Sequence, residues 1–359
     1  MLTAPRRRGL WCKAIERLML LPFMGFSWRK SWSIDVNWLG TDITATEEYR
    51  WADVVHLHWV NQGMVSMSQL RRLARGGKPL VWTMHDVWNA TAVCHLTLDC
   101  QQYRSGCSDC PMTCNALARH TWRQKQRLYA TAPIRFTTCS EWLRSQALES
   151  KLMREQSVTA IPNPIDTRGF HPSSREAARR SIGITNMEQR IVLFVAQRLD
   201  NPFKGVRYLI EAMRQFDKKD NIALAIMGSN GNEVAAALPG IKTYDLGYQS
   251  NPQHIAQIYA ASDVFVLPSL SENLPNTIME AMACGIPSVG FRIGGIPEMI
   301  DHQQNGYVAE PHNATDLANG IIYCTAPENI SRLSAACLAK VEQTYSQRAV
   351  AARFMELYE

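Results

Sequence analysis

The stretch Val264-Phe265-Val266-Leu267-Pro268-Ser269-Leu270-Ser271-Glu272-Asn273-Leu274-Pro275-Asn276-Thr277-Ile278-Met279-Glu280-Ala281-Met282-Ala283-Cys284-Gly285 decides how the chain folds. Its first four residues form a short β-branched and aromatic run, the composition of a strand buried on both faces. A polar loop follows Pro268. Pro275 fits the first position of a helix and Gly285 the residue past its end, which predicts a helix over 275–284. A helix entered this way aims its unbonded N–H groups and positive dipole end beyond the strand's edge, where an anion such as a phosphate fits. Glu272 precedes the helix and Glu280 lies inside it. Two carboxylates at different depths of one helix mouth are suited to accept hydrogen bonds from ribose or sugar hydroxyls.

The alternation continues in both directions. A strand over 287–291 and a helix over 296–300 follow, and the preceding strands lie at 191–196, 222–227 and near 243–246, with helices over 206–216 and 252–261. Pro162-Asn163-Pro164-Ile165-Asp166 then breaks the pattern, and a polar stretch runs to Arg190, so the domain boundary falls there: 1–162 and 163–345. The first domain has predicted strands at 54–57, 80–84, 134–138 and 158–161, helices over 66–75 and 115–130, and Ser140 as the N-cap of another. Strand and helix in regular alternation mean right-handed crossovers and parallel sheets, an α/β class. Two such domains are expected to face a cleft lined by the C-terminal ends of their strands.

Arg198 follows the strand 191–196 and Lys204 stands where the next helix starts, so both can reach the same crevice. A guanidinium holds phosphate by paired hydrogen bonds and an ammonium adds a point charge, a combination that neutralises a diphosphate and the charge it gains on leaving. Singly, Arg198 and Lys204 could be surface charges, Glu272 a loop acid and Glu280 a solvated helix position. Their convergence on two sheet edges favours the site.

The net charge of +6 is concentrated at one end: residues 1–30 carry Arg6, Arg7, Arg8, Lys13, Arg17, Arg29 and Lys30 against Glu16 alone. Leu10, Trp11, Ile15, Leu18, Met19, Leu21, Phe23, Met24 and Phe26 are interleaved with them, a pattern that suits a helix on an anionic membrane surface and equally a first-domain helix with a solvated basic face. A secretory signal fits less well, because charges interrupt the apolar run and no small-residue cleavage site follows. No apolar run is long enough to span a bilayer, and the neutral remainder of the chain does not suggest a nucleic-acid partner.

The stretch 259–300, with Glu272 and Glu280 separated by seven residues and Gly294-Gly295-Ile296-Pro297-Glu298 beyond them, resembles the donor-site signature of the retaining family 4 glycosyltransferases. The Arg198 to Lys204 stretch resembles the same family's diphosphate clamp, and Asn163-Pro164-Ile165-Asp166 its interdomain segment; the similarity covers roughly 50–359. The resemblance implies the GT-B fold of two Rossmann-like domains, a nucleoside-diphosphate sugar as donor and no catalytic metal. It further implies that Arg198 and Lys204 hold the diphosphate, Glu272 the sugar hydroxyls and Glu280 the ribose, with Asn273, Leu274, Pro275, Asn276 and Thr277 lining the donor. His85, at the edge of strand 80–84, would stand beside the donor sugar and the reaction centre, and 346–359 would be the helix that crosses back to the first domain. The implied acceptor is a glycan or lipid-linked glycan of bacterial surface polysaccharide synthesis, at the cytoplasmic membrane face. The family's usual opening strand and glycine-rich loop have no match before Trp51, so the first domain is expected to lack its first strand.

Ten cysteines without a signal peptide point to reduced thiols or a metal. Cys94, Cys100, Cys107 and Cys110, with His95 and Cys114 nearby, include one tight C-x2-C pair and could complete a tetrahedral structural zinc site; disulfides and plain thiols are the alternatives. The run from His85 through Cys110-Pro111 also resembles a subset of family 4 enzymes from bacterial surface-polysaccharide pathways. Two rival readings remain: a non-catalytic partner that binds donor or glycan, and a GT-B phosphorylase or epimerase. Turnover of donor separates the first, and phosphate dependence or acceptor-free conversion the second.

Overall fold

The computed structural model describes residues 6–199 and 201–359, with the side chains of Arg6, Arg7, Arg8 and Arg29 outside that description. Those four belong to the N-terminal basic cluster. The chain forms two compact units: Met1–Ile161 together with Met355–Glu359, and Pro162–Phe354.

In the first unit β1 (Val55–Leu57), β2 (Leu80–Met84), β3 (Ile134–Thr138) and β4 (Val158–Ala160) form a wholly parallel sheet in that order. β2 is buried along its whole length, which is why Leu80-Val81-Trp82-Thr83-Met84 carries no polar–apolar alternation. The helix Met67–Arg75 starts at a capping box in which Ser66 and Gln69 satisfy each other's backbone N–H groups, and it packs Leu70, Leu73 and Ala74 inward. Ser140 caps the helix Glu141–Glu149 by accepting the N–H of Leu143. Among the described residues no strand precedes β1.

The N-terminal segment folds as the helix Arg6–Leu20. Arg17 departs from the expected basic surface: it is buried with Glu16 and Leu20, forms a 2.6 Å ion pair with Asp35 and also binds the Ser31 carbonyl. The opposite side is apolar and exposed, with Trp11 at 70% and Leu18 at 57%. Among the described residues no helix is long and apolar enough to cross a membrane.

The second unit is built on six parallel strands: β5 (Arg190–Arg198), β6 (Ile222–Ser229), β7 (Lys242–Asp245), β8 (Val264–Leu267), β9 (Ser288–Phe291) and β10 (Gly306–Ala309), in the order β10-β9-β8-β5-β6-β7. The chain runs outward from β5 through β6 to β7, then returns to place β8 on the other side of β5. That reversal makes the β5–β8 edge a topological switch point, where connections leave in opposite directions and open a crevice at the strands' C-terminal ends. β10 and the helices Ala314–Thr325 and Pro327–Lys340 extend the alternation beyond what the sequence predicted. The supposed linker contains the helix Arg175–Ser181, whose fully buried Arg179 binds Asp263 at 2.6 Å and the Ala261 carbonyl at 3.0 Å. The last helix, Gln347–Tyr358, belongs to the second unit through Phe354 and to the first thereafter.

Candidate functional site

Both predicted halves of the donor site sit on the switch point. Arg198 is the last residue of β5, exposed, beyond a bulge in its pairing with β6. The chain then turns through Pro202–Lys204, one turn of 3-10 helix capped by Asn201, whose side chain accepts the Phe203 N–H. Gly205 ends the turn in the left-handed region at φ 66, where a Cβ would collide with the carbonyl oxygen of Pro268 at the end of β8. Leu270 N–H donates to the Phe203 carbonyl at 2.8 Å. The loops after β5 and β8 are thus stitched together, and Lys204 is carried to Glu272: its Nζ lies 2.6 Å from the Glu272 Oε1.

Glu272 is fixed from the other side by Gly294. At φ 59 that glycine packs against the Glu272 carbonyl so closely that a Cβ would overlap it. The helix Asn276–Ala283 follows, with Pro275 as its N-cap and not its first helical residue, so it begins one residue later than predicted. Pro275 offers no side-chain cap to the first turn. Its N-terminal dipole end is left for a ligand at the same mouth as Lys204 and Glu272. Asn276 is exposed, Asn273 and Thr277 are half-buried, and Leu274 and Pro275 are buried beneath them.

Glu280 lies one turn inside this helix. Burial pushes its carboxyl above the usual range, and a hydrogen bond from the fully buried Tyr259 hydroxyl at 2.8 Å offsets part of the rise. Tyr259 stood at the edge of the sequence signature without a role. The structure makes it the brace that fixes the Glu280 carboxylate.

In the first unit His85 stands just past β2. Its Nε2 lies 3.1 Å from Nδ1 of His58 and its Nδ1 3.4 Å from the Cys139 thiol. His56 stacks on His58 with ring centroids 4.3 Å apart, and its nitrogens bind the hydroxyls of Tyr358 and Thr83, each at 2.7 Å. Burial pulls all three imidazoles below the ordinary histidine range, His56 to about 4, and their mutual repulsion adds to the shift in His56 and His85. The trio therefore presents neutral rings at neutral pH, able to donate and accept hydrogen bonds.

His95 is not a metal ligand. Its Nδ1 and Nε2 are bound at 2.7 Å by Asp86 and Asp35 respectively, leaving no lone pair. Burial alone would lower this imidazole, but the two carboxylates outweigh it and hold it at about 9. Cys94, Cys100, Cys107 and Cys110 are brought to one small cavity, whereas Cys114 is exposed at the start of the helix Asn115–Tyr129.

Comparison with known proteins adds to this geometry. Residues 20–168 match the family model described as Glycosyltransferase Family 4, and residues 189–326 match that described as Glycosyl transferases group 1. The chain belongs to the family 4 glycosyltransferases. Curated relatives include N-acetyl-alpha-D-glucosaminyl L-malate synthase of Bacillus anthracis, 28% identical over 49% of this chain and 46% of that protein. D-inositol 3-phosphate glycosyltransferase of Acidothermus cellulolyticus is 25% identical over 77% and 60%. N,N'-diacetylbacillosaminyl-diphospho-undecaprenol alpha-1,3-N-acetylgalactosaminyltransferase of Campylobacter jejuni is 28% identical over 61% and 57%. The chain spans about half the length of these relatives, between 46% and 60%.

Among solved structures, Anabaena HepE in complex with UDP-glucose superposes with a TM-score of 0.62 at 20% identity over 85% of this chain and 78% of its own. Sucrose-phosphate synthase from Thermosynechococcus elongatus gives 0.64 at 19% over 86% and 73%. The fold of this family 4 glycosyltransferase is therefore GT-B, with two parallel-sheet, Rossmann-like halves. The switch point that carries Arg198, Lys204 and Glu272 lies inside the group 1 match, and the histidine trio's residues 56–85 lie inside the family 4 match.

Proposed function

We propose that the chain is a retaining, metal-independent glycosyltransferase that moves a hexose-type sugar from a nucleoside diphosphate to a glycan or lipid-linked glycan acceptor in bacterial surface polysaccharide synthesis. The observation that carries the reading is the 2.6 Å contact between Lys204 and Glu272 at the mouth of the helix Asn276–Ala283. A cation for phosphate and a carboxylate for hydroxyls, set side by side at a switch point, match the two ends of a sugar–diphosphate bond. In this reading the pair separates on donor binding: Lys204 and Arg198 take the diphosphate, while Glu272 accepts from the sugar hydroxyls. Glu280, braced by Tyr259, takes the ribose, and Asn273, Leu274, Pro275, Asn276 and Thr277 line the donor.

The reaction asks the site to stabilise a leaving diphosphate. Arg198, Lys204 and the helix N-terminus are pre-oriented charges and dipoles that gain strength as negative charge builds on the departing oxygen. That oxygen takes the acceptor hydroxyl's proton as the new glycosidic bond forms on the face it leaves, so the carboxylates position and do not attack. His85 is the first-unit group we assign to the reaction, as a neutral hydrogen-bond partner.

The Campylobacter relative, whose name specifies a diphospho-undecaprenol acceptor, supports the lipid-linked alternative, and the HepE complex with UDP-glucose supports the donor class. The outward apolar face of Arg6–Leu20, with the exposed Phe26, Trp28 and Trp32 nearby, suits contact with the cytoplasmic membrane surface. Sedimentation with anionic vesicles, reduced in Trp11→Ser, tests that contact.

A thermal-shift screen of nucleotide sugars selects the donor. With it, Lys204→Ala and Glu272→Ala each lower the transfer rate by about 100- to 1,000-fold while leaving the melting curve in place. Near-normal turnover in either variant sinks the assignment.

A further inference from the structure

Between the helical turn Val87–Ala90 and the helix Asn115–Tyr129 the chain has one turn of 3-10 helix, Gln102–Arg104, as its regular structure. Segments of that length without secondary structure are uncommon in compact domains unless they serve a function. Val93 and Tyr103 anchor this one in the core, while Leu96 and Leu98 between them are 50% and 59% exposed. Its inner surface is lined with sulfur. Cys94, Cys100, Cys107 and Cys110 border a single cavity of about 20 Å³, space for one atom the size of a water oxygen.

Two further observations bear on what that cavity takes. The Cys94 and Cys110 side chains stand within hydrogen-bond reach of one another, with Cys100 and Cys107 beside the same cavity. Four sulfurs around one small cavity are the donor set of a closed tetrahedral metal site. Beside them lies Lys125, 0% exposed, its ammonium donating to the Trp88 and Thr91 carbonyls and standing 3.3 Å from the Trp88 ring centroid. Among the described residues no carboxylate reaches it within ion-pair distance, and burial pulls its amine well below the usual lysine range. A buried cation without a counter-ion is costly.

We propose that Cys94, Cys100, Cys107 and Cys110 bind one zinc ion, which holds this segment folded. Four thiolates on one divalent ion make a dianion, which would favour the ammonium form of the neighbouring Lys125. Zinc takes four sulfur ligands at about 2.3 Å in tetrahedral array. Among the described residues no three His, Cys, Asp or Glu side chains already stand so grouped. Binding therefore turns the thiols inward on the cavity they line. His95 is excluded by its two carboxylates and Cys114 by its exposure. With every ligand position filled by protein, the ion has no open site for substrate and is structural, so the proposal stands independently of the transfer reaction.

The full chain purified under reducing conditions gives about one zinc per molecule by elemental analysis, as does Cys114→Ser, while Cys107→Ser falls below half. Because Cys107→Ser could fail to fold, a second measurement uses the folded native chain: a thiol-modifying reagent releases zinc to a chromogenic indicator in step with cysteine modification. Cobalt(II) in place of zinc gives the intense sulfur-to-metal absorption of a thiolate site. A folded chain with little or no zinc overturns the proposal, as does a disulfide joining Cys94 to Cys110. Zinc content unchanged in Cys107→Ser shows an adventitious ion and overturns it too.

Discussion

Gly294→Ala tests whether the backbone behind Glu272 sets the donor site, without altering any charged group. Gly294 has φ 59, and its missing Cβ leaves room for the Glu272 carbonyl. Alanine pays about 1 kcal/mol for the left-handed backbone. Overlap with a main-chain oxygen has no rotamer to relieve it, so the loop after β8 must shift, at a further cost of roughly 1–2 kcal/mol. For a unit of this size each kcal/mol lowers the melting temperature by about 2–4 °C, so a fall of roughly 4–12 °C follows. The functional cost is larger. A displacement near 1 Å of a positioning group costs about 100-fold in rate, and Glu272 moves with the carbonyl it carries. The assay pairs a melting curve with initial transfer rates at saturating donor. A variant that melts lower yet transfers at the native rate refutes the claim that the Gly294 contact positions Glu272.

Two further outcomes concern the charges that hold each unit together. His95 is held at about 9 in the folded chain against an ordinary 6.5, so its contribution is complete below about pH 6.5 and lost as pH rises to about 9. The native melting temperature should decline across that window more steeply than that of His95→Gln, and parallel profiles would show that the Asp35–His95–Asp86 clasp contributes nothing. Arg179→Met strips a partner from the buried Asp263 and should cost about 3 kcal/mol by denaturant titration, at the low end for a broken buried pair because Arg175 still reaches that carboxylate. A loss under about 1 kcal/mol would mean the pair is dispensable.

The sheets were legible because their strands are short runs rich in apolar, aromatic and β-branched residues: 80–84 and 134–138 in the sequence are the residues of β2 and β3. The Ser140 cap was legible because its side chain acts on backbone three residues away, whereas Ser66, expected inside its helix, turns out to cap it. Arg198, Lys204, Glu272 and Glu280 could be singled out because they lie at the end of a strand, in the loop after one, or in the helix that loop enters. Long-range pairing had no local signal. Arg179 looks like part of a polar linker until the fold brings it to Asp263, 84 positions away. Arg17 looks like surface charge until Asp35 is folded beneath it, and nothing near His95 in the sequence signals the two carboxylates that its nitrogens meet. β10 has four residues, Gly306-Tyr307-Val308-Ala309, too few to show a period.

The first unit is made from both ends of the chain. Tyr358 completes the hydrogen bonding of His56, and Arg135 of β3 binds the Leu357 carbonyl. A ribosome that has finished β4 has about 200 residues still to add, roughly 10–40 s of synthesis, before those partners exist. All of Pro162–Phe354 emerges in that interval, so the half of the molecule encoded first is the half finished last. A stop codon or proteolytic nick that removes only the final handful of residues is, in its effect, a lesion in the N-terminal domain.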